Sequence, residues 1–137
     1  MSWDIFVQDL PKGATRLGDI PDDFQPAPIG SPSELVHRIS VIFPEADFSD
    51  PTWGVIEGSD FSLEVSLGDG DPITSFALHV RGGESAPFAV ARLLTGLGLS
   101  GLDPQSDSGL FALDHASLEG FERWRRFRER VVGGQRT

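Results

Sequence analysis

His79 and Arg81 are the residues of this chain best placed to do chemistry. They stand two apart in His79-Val80-Arg81-Gly82-Gly83-Glu84-Ser85, at the end of an alternating apolar run. An imidazole beside a carboxylate makes an acid–base pair, and Glu64 and Glu57 are the acids whose strands could lie alongside His79. The plainer product of the same neighbourhood is a surface salt bridge, worth little to stability. The segment also passes from a strand through two glycines into a helix start, where free amides attract an anion and Arg81 would add charge. Glu84 at that start already serves the helix dipole and repels an anion, so a tight strand-to-helix turn is the simpler expectation.

The other patterns carry less. Gly96-Leu97-Gly98-Leu99-Ser100-Gly101 spells the dinucleotide fingerprint, but that mechanism needs a strand before the glycines and a helix after them. Here the glycines follow a helical run, which predicts a helix cap and a turn. Asp69-Gly70-Asp71 has the flavour of a calcium loop, yet Val80 and Arg81 stand where the closing glutamate belongs, so a hairpin turn is expected. His37, His79 and His115 lack the spacing of a helical metal site, no nucleophile elbow occurs, and cysteine is absent. These patterns predict no catalytic residue, no metal site and no cofactor.

The elements that must position His79 and Arg81 read as follows. Trp3 to Gln8 is a β-branched and aromatic strand stopped by Pro11 and Gly13. A proline-rich loop runs from about residue 9 to 30, with Leu17, Ile20, Phe24 and Ile29 as apolar anchors. Ser31-Pro32-Ser33-Glu34 opens a helix whose face is Leu35, Val36, Ile39, Ile42 and Phe43, and Pro44 closes it. A β-meander follows: Trp53 to Glu57, the alternating Phe61 to Leu67, and Ile73 to Arg81. A nearly all-apolar helix runs from about Ser85 to Leu97 with Gly98 as its cap. Short strands are expected at Leu99 to Leu102 and at Leu110 to Leu113. A last helix, to about Val132, carries the stripe Leu118, Phe121, Trp124, Phe127 and Val131.

This order predicts an α+β fold of one domain, residues 1–137. It is a two-layer sandwich with a mainly antiparallel sheet of four to six strands and two to three helices, and a ferredoxin-like variant is one way to arrange it. With helices on one face only, the other would carry Glu57, Glu64, His79 and Arg81; the plainer expectation is that this face is simply solvated or is covered by the last helix.

Charge narrows the functional classes. The 137 residues carry a formal −10. Residues 1–115 hold 18 acids and 5 bases, hence −13, and residues 116–137 hold 3 acids and 6 bases, hence +3. An acidic body is the wrong surface for phosphate contact, which argues against nucleic acid and against an anionic membrane. No apolar run approaches the ~18 residues of a membrane span, and Asp4 and Asp9 interrupt the opening apolar stretch where a signal peptide would need it unbroken.

The opening Met1-Ser2-Trp3-Asp4-Ile5-Phe6-Val7-Gln8-Asp9-Leu10-Pro11 resembles an uncharacterised family of small acidic bacterial proteins. Phe43-Pro44-Glu45-Ala46-Asp47, Trp53-Gly54-Val55-Ile56-Glu57-Gly58 and His79-Val80-Arg81-Gly82-Gly83 are similar too, so the resemblance covers roughly residues 1–105. It implies a cytoplasmic bacterial domain and supplies no catalytic residues. The expected function is a non-enzymatic protein-binding module of the immunity or inhibitor kind. It would dock a basic partner through a polar sheet face holding Glu57, Glu64, His79 and Arg81. The alternatives are a small enzyme or anion and small-ligand binder using His79, Arg81 and a nearby carboxylate, and a homodimer subunit with an interface on Phe121, Trp124 and Phe127.

Overall fold

Burial alternates with period 2 along five of the six strands, which gives the sheet one buried face. The computed structural model describes residues 3–11, 13–106 and 108–111. The strands are β1 (Trp3–Gln8), β2 (Asp47–Asp50), β3 (Trp53–Glu57), β4 (Phe61–Ser66), β5 (Ser75–Gly82) and β6 (Ser100–Leu102), and the helices are α1 (Pro32–Ile42) and α2 (Ala86–Leu97). The fold is α+β, a six-stranded sheet in the order β2-β3-β4-β5-β1-β6 with every pair antiparallel and the two helices packed on it. Four of the strands, β6-β1-β5-β4, follow the ferredoxin-like order, in which β1 is inserted between β5 and β6. The β2–β3 hairpin is added at the far edge.

The core lies between the helices and one sheet face. Trp3, Ile5 and Val7 of β1, Leu63 and Val65 of β4, and Leu78 and Val80 of β5 are fully buried there, against Leu35 and Ile39 of α1 and Val90 and Leu93 of α2. Each such side chain contributes roughly 1.5–3 kcal/mol, so this layer outweighs any surface pair. Helix α1 starts as its sequence dictates: Ser31 Oγ accepts the Glu34 N–H at 3.2 Å, and Pro32 fills the first position. Helix α2 buries a wide face but leaves Phe88 57 % exposed, so it is less enclosed than its composition suggests.

Two expectations are corrected, and one strand is added. β2 is a strand that the sequence does not announce: Asp47-Phe48-Ser49-Asp50 has no apolar alternation, and it is held as an edge strand by pairing to β3. Asp47 and Asp50 each take the N–H and hydroxyl of the residue two ahead, Ser49 and Thr52, at 2.6–2.9 Å. The third meander strand begins at Ser75 rather than Ile73, because Ile73 is exchanged into a bridge with Gly30. That bridge, with its two 2.8 Å hydrogen bonds, ties down the end of the proline-rich loop. Of that loop's expected anchors, Ile29 packs on the core, whereas the Leu17 side chain is exposed and its N–H donates to the Ser108 carbonyl at 2.7 Å. Of the short strand expected at Leu110 to Leu113, the structure shows an isolated bridge from Leu110 to Leu102, and Phe111 lies outside any strand. Residues 112 and 113 of that strand, His115, and the last helix with Phe121, Trp124 and Phe127 lie outside the described residues. No helix among the described residues is long and apolar enough to cross a membrane.

Candidate functional site

Alternation puts the odd residues of β1 into the core, and therefore Asp4 and Phe6 on the opposite face. The same logic places Trp53, Val55 and Glu57 of β3, Ser62, Glu64 and Ser66 of β4, and Ala77, His79 and Arg81 of β5 on that face. The antiparallel register then lines these side chains up in rows across the strands. One row runs Trp53, Ser66, Ala77, Phe6, Leu102 from β3 to β6. The next runs Asp47, Val55, Glu64, His79, Asp4 from β2 to β1. A third holds Glu57, Ser62 and Arg81. Asp50 of β2, opposite Trp53, ends the first row, which is otherwise aromatic and apolar but for Ser66; the second carries Asp47, Glu64 and Asp4. Among the described residues, both helices pack on the other side of the sheet.

All four residues expected from the sequence, Glu57, Glu64, His79 and Arg81, share this face, but their pairing differs from the expected one. His79 stands directly opposite Glu64 across β4 and β5, yet its Nδ1 meets Asp4 Oδ1 at 2.8 Å. Glu64 instead accepts Arg81 Nη1 at 2.9 Å. The physical reason is competition: Glu64 has a permanent cation diagonal to it, and β1, on the other flank of β5, offers His79 a carboxylate of its own. Glu57 shares a row with Arg81 but has Ser62 between them, roughly 10 Å for two strand spacings, and makes no ion pair among the described residues.

Sequence reasoning missed Asp4 and Trp53. The Trp53 indole leans across β4 and stacks on the His79 ring, with centroids 5.6 Å apart and planes at 21°. Trp53 remains 39 % exposed and Phe6 42 % exposed. Outward alternation in β1 and β3 was the available signal for both, but only strand order reveals that they flank His79. Counted from the described strands, the face holds five carboxylates (Asp4, Asp47, Asp50, Glu57 and Glu64) against Arg81 as its one permanent cation. The Ser49 hydroxyl and then its N–H hold the Asp47 carboxyl below the usual carboxylate range, and those of Thr52 do the same for Asp50. Both are therefore charged at neutral pH.

The remaining candidates resolve into structure. The anion position at the start of α2 is taken by the chain's own Asp60, whose Oδ2 accepts the Ser85 N–H at 3.4 Å and whose carbonyl accepts the Gly83 N–H at 2.6 Å. Arg81 points to the opposite side of the sheet and adds nothing there. In the fingerprint-like run, Gly98 caps α2 in the left-handed region at φ 67° and the chain turns into β6, so helix precedes strand, the reverse of a nucleotide loop. A cleft of about 210 Å³, lined by Leu10, Thr15, Ser100, Gly101, Leu110 and Phe111 among others, lies at the β6 edge. It is smaller than ordinary small-molecule pockets, and none of Glu57, Glu64, His79 and Arg81 lines it. Among the described residues no three His, Asp or Glu side chains gather to hold a metal ion. Asp103 is a buried carboxylate outside all of this. It accepts the Trp3 Nε1–H at 2.9 Å and the Gln105 N–H at 3.0 Å on Oδ1, and its Oδ2 has no hydrogen-bond partner among the described residues.

Comparison of the chain with family models, with curated proteins and with solved structures finds no match in any of the three.

Proposed function

We propose that this chain is a non-enzymatic protein-binding module that docks a basic protein on the open face of its sheet. The observation that carries the reading is the pairing of two exposed aromatic rings, Trp53 and Phe6, with a five-to-one excess of carboxylates on one surface. Exposed aromatics supply the desolvated anchor of an interface, and they also accept cations on their faces. The surrounding negative charge, with −10 on the whole chain, speeds encounter with a basic surface. The role this suits is that of an immunity- or inhibitor-like protein, which acts by covering a basic target.

The reading is tested by affinity capture from native lysate with the full chain, run in parallel on Trp53→Ala and on Val41→Ser, a change on the helix layer where Val41 is exposed. The expected result is a basic protein retained at low salt by the native chain and by Val41→Ser, lost by Trp53→Ala, and lost at high salt. Equal capture by all three, or no capture at low salt by the folded chain, overturns it.

A small enzyme using His79 has one observation in its favour, the 2.8 Å bond to Asp4, which orients an imidazole as a general base requires. Against it, the ring face is covered by Trp53, and among the described residues no hydroxyl hydrogen-bonds His79 to serve as a nucleophile.

A further inference from the structure

The two rows on the open face say what shape of basic partner fits. They lie side by side, separated by the two-residue repeat of a strand, about 6.8 Å. One is the largely apolar row of Trp53, Ala77, Phe6 and Leu102, with Asp50 at its β2 end, and the other is the acidic row of Asp47, Glu64 and Asp4, with His79 among them. An extended partner strand would send alternate side chains toward and away from the sheet, and would face it with a single file. A helix presents an apolar stripe with charged residues flanking it on the same side, and its diameter of about 10–12 Å covers both rows at once. The six strands span about 24 Å at 4.8 Å per interval, the length of roughly 16 helical residues.

We infer that the open face receives a cationic amphipathic helix of the partner, laid across the strands, with its apolar stripe on Trp53 and Phe6 and its arginines or lysines toward Asp47, Glu64 and Asp4. This rests on the reading of that face as the docking surface, and it adds the partner's secondary structure and its charge pattern. Trp53 is the anchor, because the stack on His79 holds its ring in place while leaving part of it in water. Arg81 reaches into the acidic row to pair with Glu64, and Asp47 and Asp4 keep the row negative.

The test uses the full chain and two labelled 18-residue peptides of identical leucine, alanine and arginine content. One carries leucine at i, i+3, i+4 and i+7; the other has the same residues scrambled. Binding is followed by fluorescence anisotropy at low salt. The expected result is that the amphipathic peptide binds at least about tenfold more tightly than the scrambled one, and becomes helical by circular dichroism on binding. Trp53→Ala and Phe6→Ser should each weaken it several-fold, and Glu64→Gln should flatten its salt dependence. Equal affinity for the two peptides overturns the inference, as does an amphipathic peptide that ignores both aromatic changes. Self-association of the full chain that Trp53→Ala abolishes would also overturn it, in favour of a second copy as the occupant. If both peptides fail while the lysate partner still depends on Trp53, only the helical partner is refuted. If lysate capture ignores Trp53, the docking surface itself is refuted.

Discussion

Asp4 and His79, 75 positions apart in the chain, face each other across β1 and β5 and are joined by a 2.8 Å hydrogen bond. That bond fixes the imidazole from one side while Trp53 covers its ring. The result is an aromatic platform at the centre of the sheet face opposite α1 and α2, built from three strands and held by the Asp4 contact at its rim. Such an arrangement organises a surface more than it stabilises a fold.

Changes at His79 should therefore separate surface order from stability. His79→Phe keeps a ring under Trp53 and loses the bond to Asp4; His79→Ala loses both. Each is expected to cost less than about 1 kcal/mol in a urea titration, because the pair keeps contact with water. In protein carrying fluorinated tryptophan, the Trp53 resonance should stay near its native position in His79→Phe and move in His79→Ala. A cost above about 2 kcal/mol, or no difference between the two spectra, would refute this account of the platform.

Local patterns were legible where one residue's neighbours decide its state. Phe61 to Ser66 alternates without interruption and is a strand, and Ser31 with Pro32 and Glu34 starts a helix where a cap and a fixed φ demand one. That Glu57, Glu64, His79 and Arg81 share one face followed from that alternation. The partner of His79 did not, since it depends on β1 lying beside β5, a contact no local pattern encodes. β2 escaped for a different reason. Its carboxylates hook onto Ser49 and Thr52, a local turn chemistry that reads as loop in sequence and here coexists with edge pairing.

Asp103 should make stability fall as pH rises. It is fully buried, and burial, opposed only by the N–H donors of Trp3, Gln105 and Ser106, pushes its carboxyl above the usual carboxylate range. The folded state thus binds the proton more tightly than the unfolded state. The contribution is fully present below the ordinary carboxylate value of about 3.9 and is lost as pH climbs through the raised native one. Asp103→Asn removes that titration and keeps an oxygen for Trp3 and Gln105. The urea midpoint of Asp103→Asn relative to native protein is expected to rise from acid toward neutral pH and then level off. Asp19, Asp47 and Asp50, all shifted down, titrate alike in both proteins and cancel. A midpoint difference independent of pH would show that Asp103 does not carry the proton.

Arg38 and Arg92 cap one another's helices. Arg38 Nη2 of α1 donates to the Leu97 carbonyl at the end of α2 at 2.7 Å, and Arg92 Nη2 of α2 donates to the Ile42 carbonyl at the end of α1 at 2.6 Å. Arg92 also lies over the Phe43 ring, 4.6 Å from its centroid. Each satisfies an orphan carbonyl and meets the negative helix end with a cation. Arg38→Ala and Arg92→Ala are each expected to cost about 1 kcal/mol. In amide exchange, Arg38→Ala should loosen the last turn of α2, and Arg92→Ala that of α1. Loosening confined to the mutated residue's own helix would contradict the crossed arrangement.

Gly82 should be the least replaceable of the glycines at positive φ. Its φ is 126°, a region closed to side chains, and an added Cβ would strike the Asp60 carbonyl oxygen and the Phe61 Cα, which are backbone and cannot step aside. Gly68, at φ 75° with nothing within 4 Å, faces only the left-handed penalty. Gly68→Ala is expected to cost about 1–2 kcal/mol, and Gly68→Asn less, since asparagine tolerates that conformation. Gly82→Ala adds overpacking to strain and should cost roughly 3 kcal/mol or more, with no relief from asparagine. Because Gly82 ends β5 beside Arg81, its replacement should also disturb the Arg81–Glu64 pair, seen as a shift of the Glu64 side-chain carboxyl resonance that Gly68→Ala does not produce. Equal costs at the two glycines would mean that the chain near Asp60 yields, and that the strand-to-helix turn is less fixed than its contacts imply.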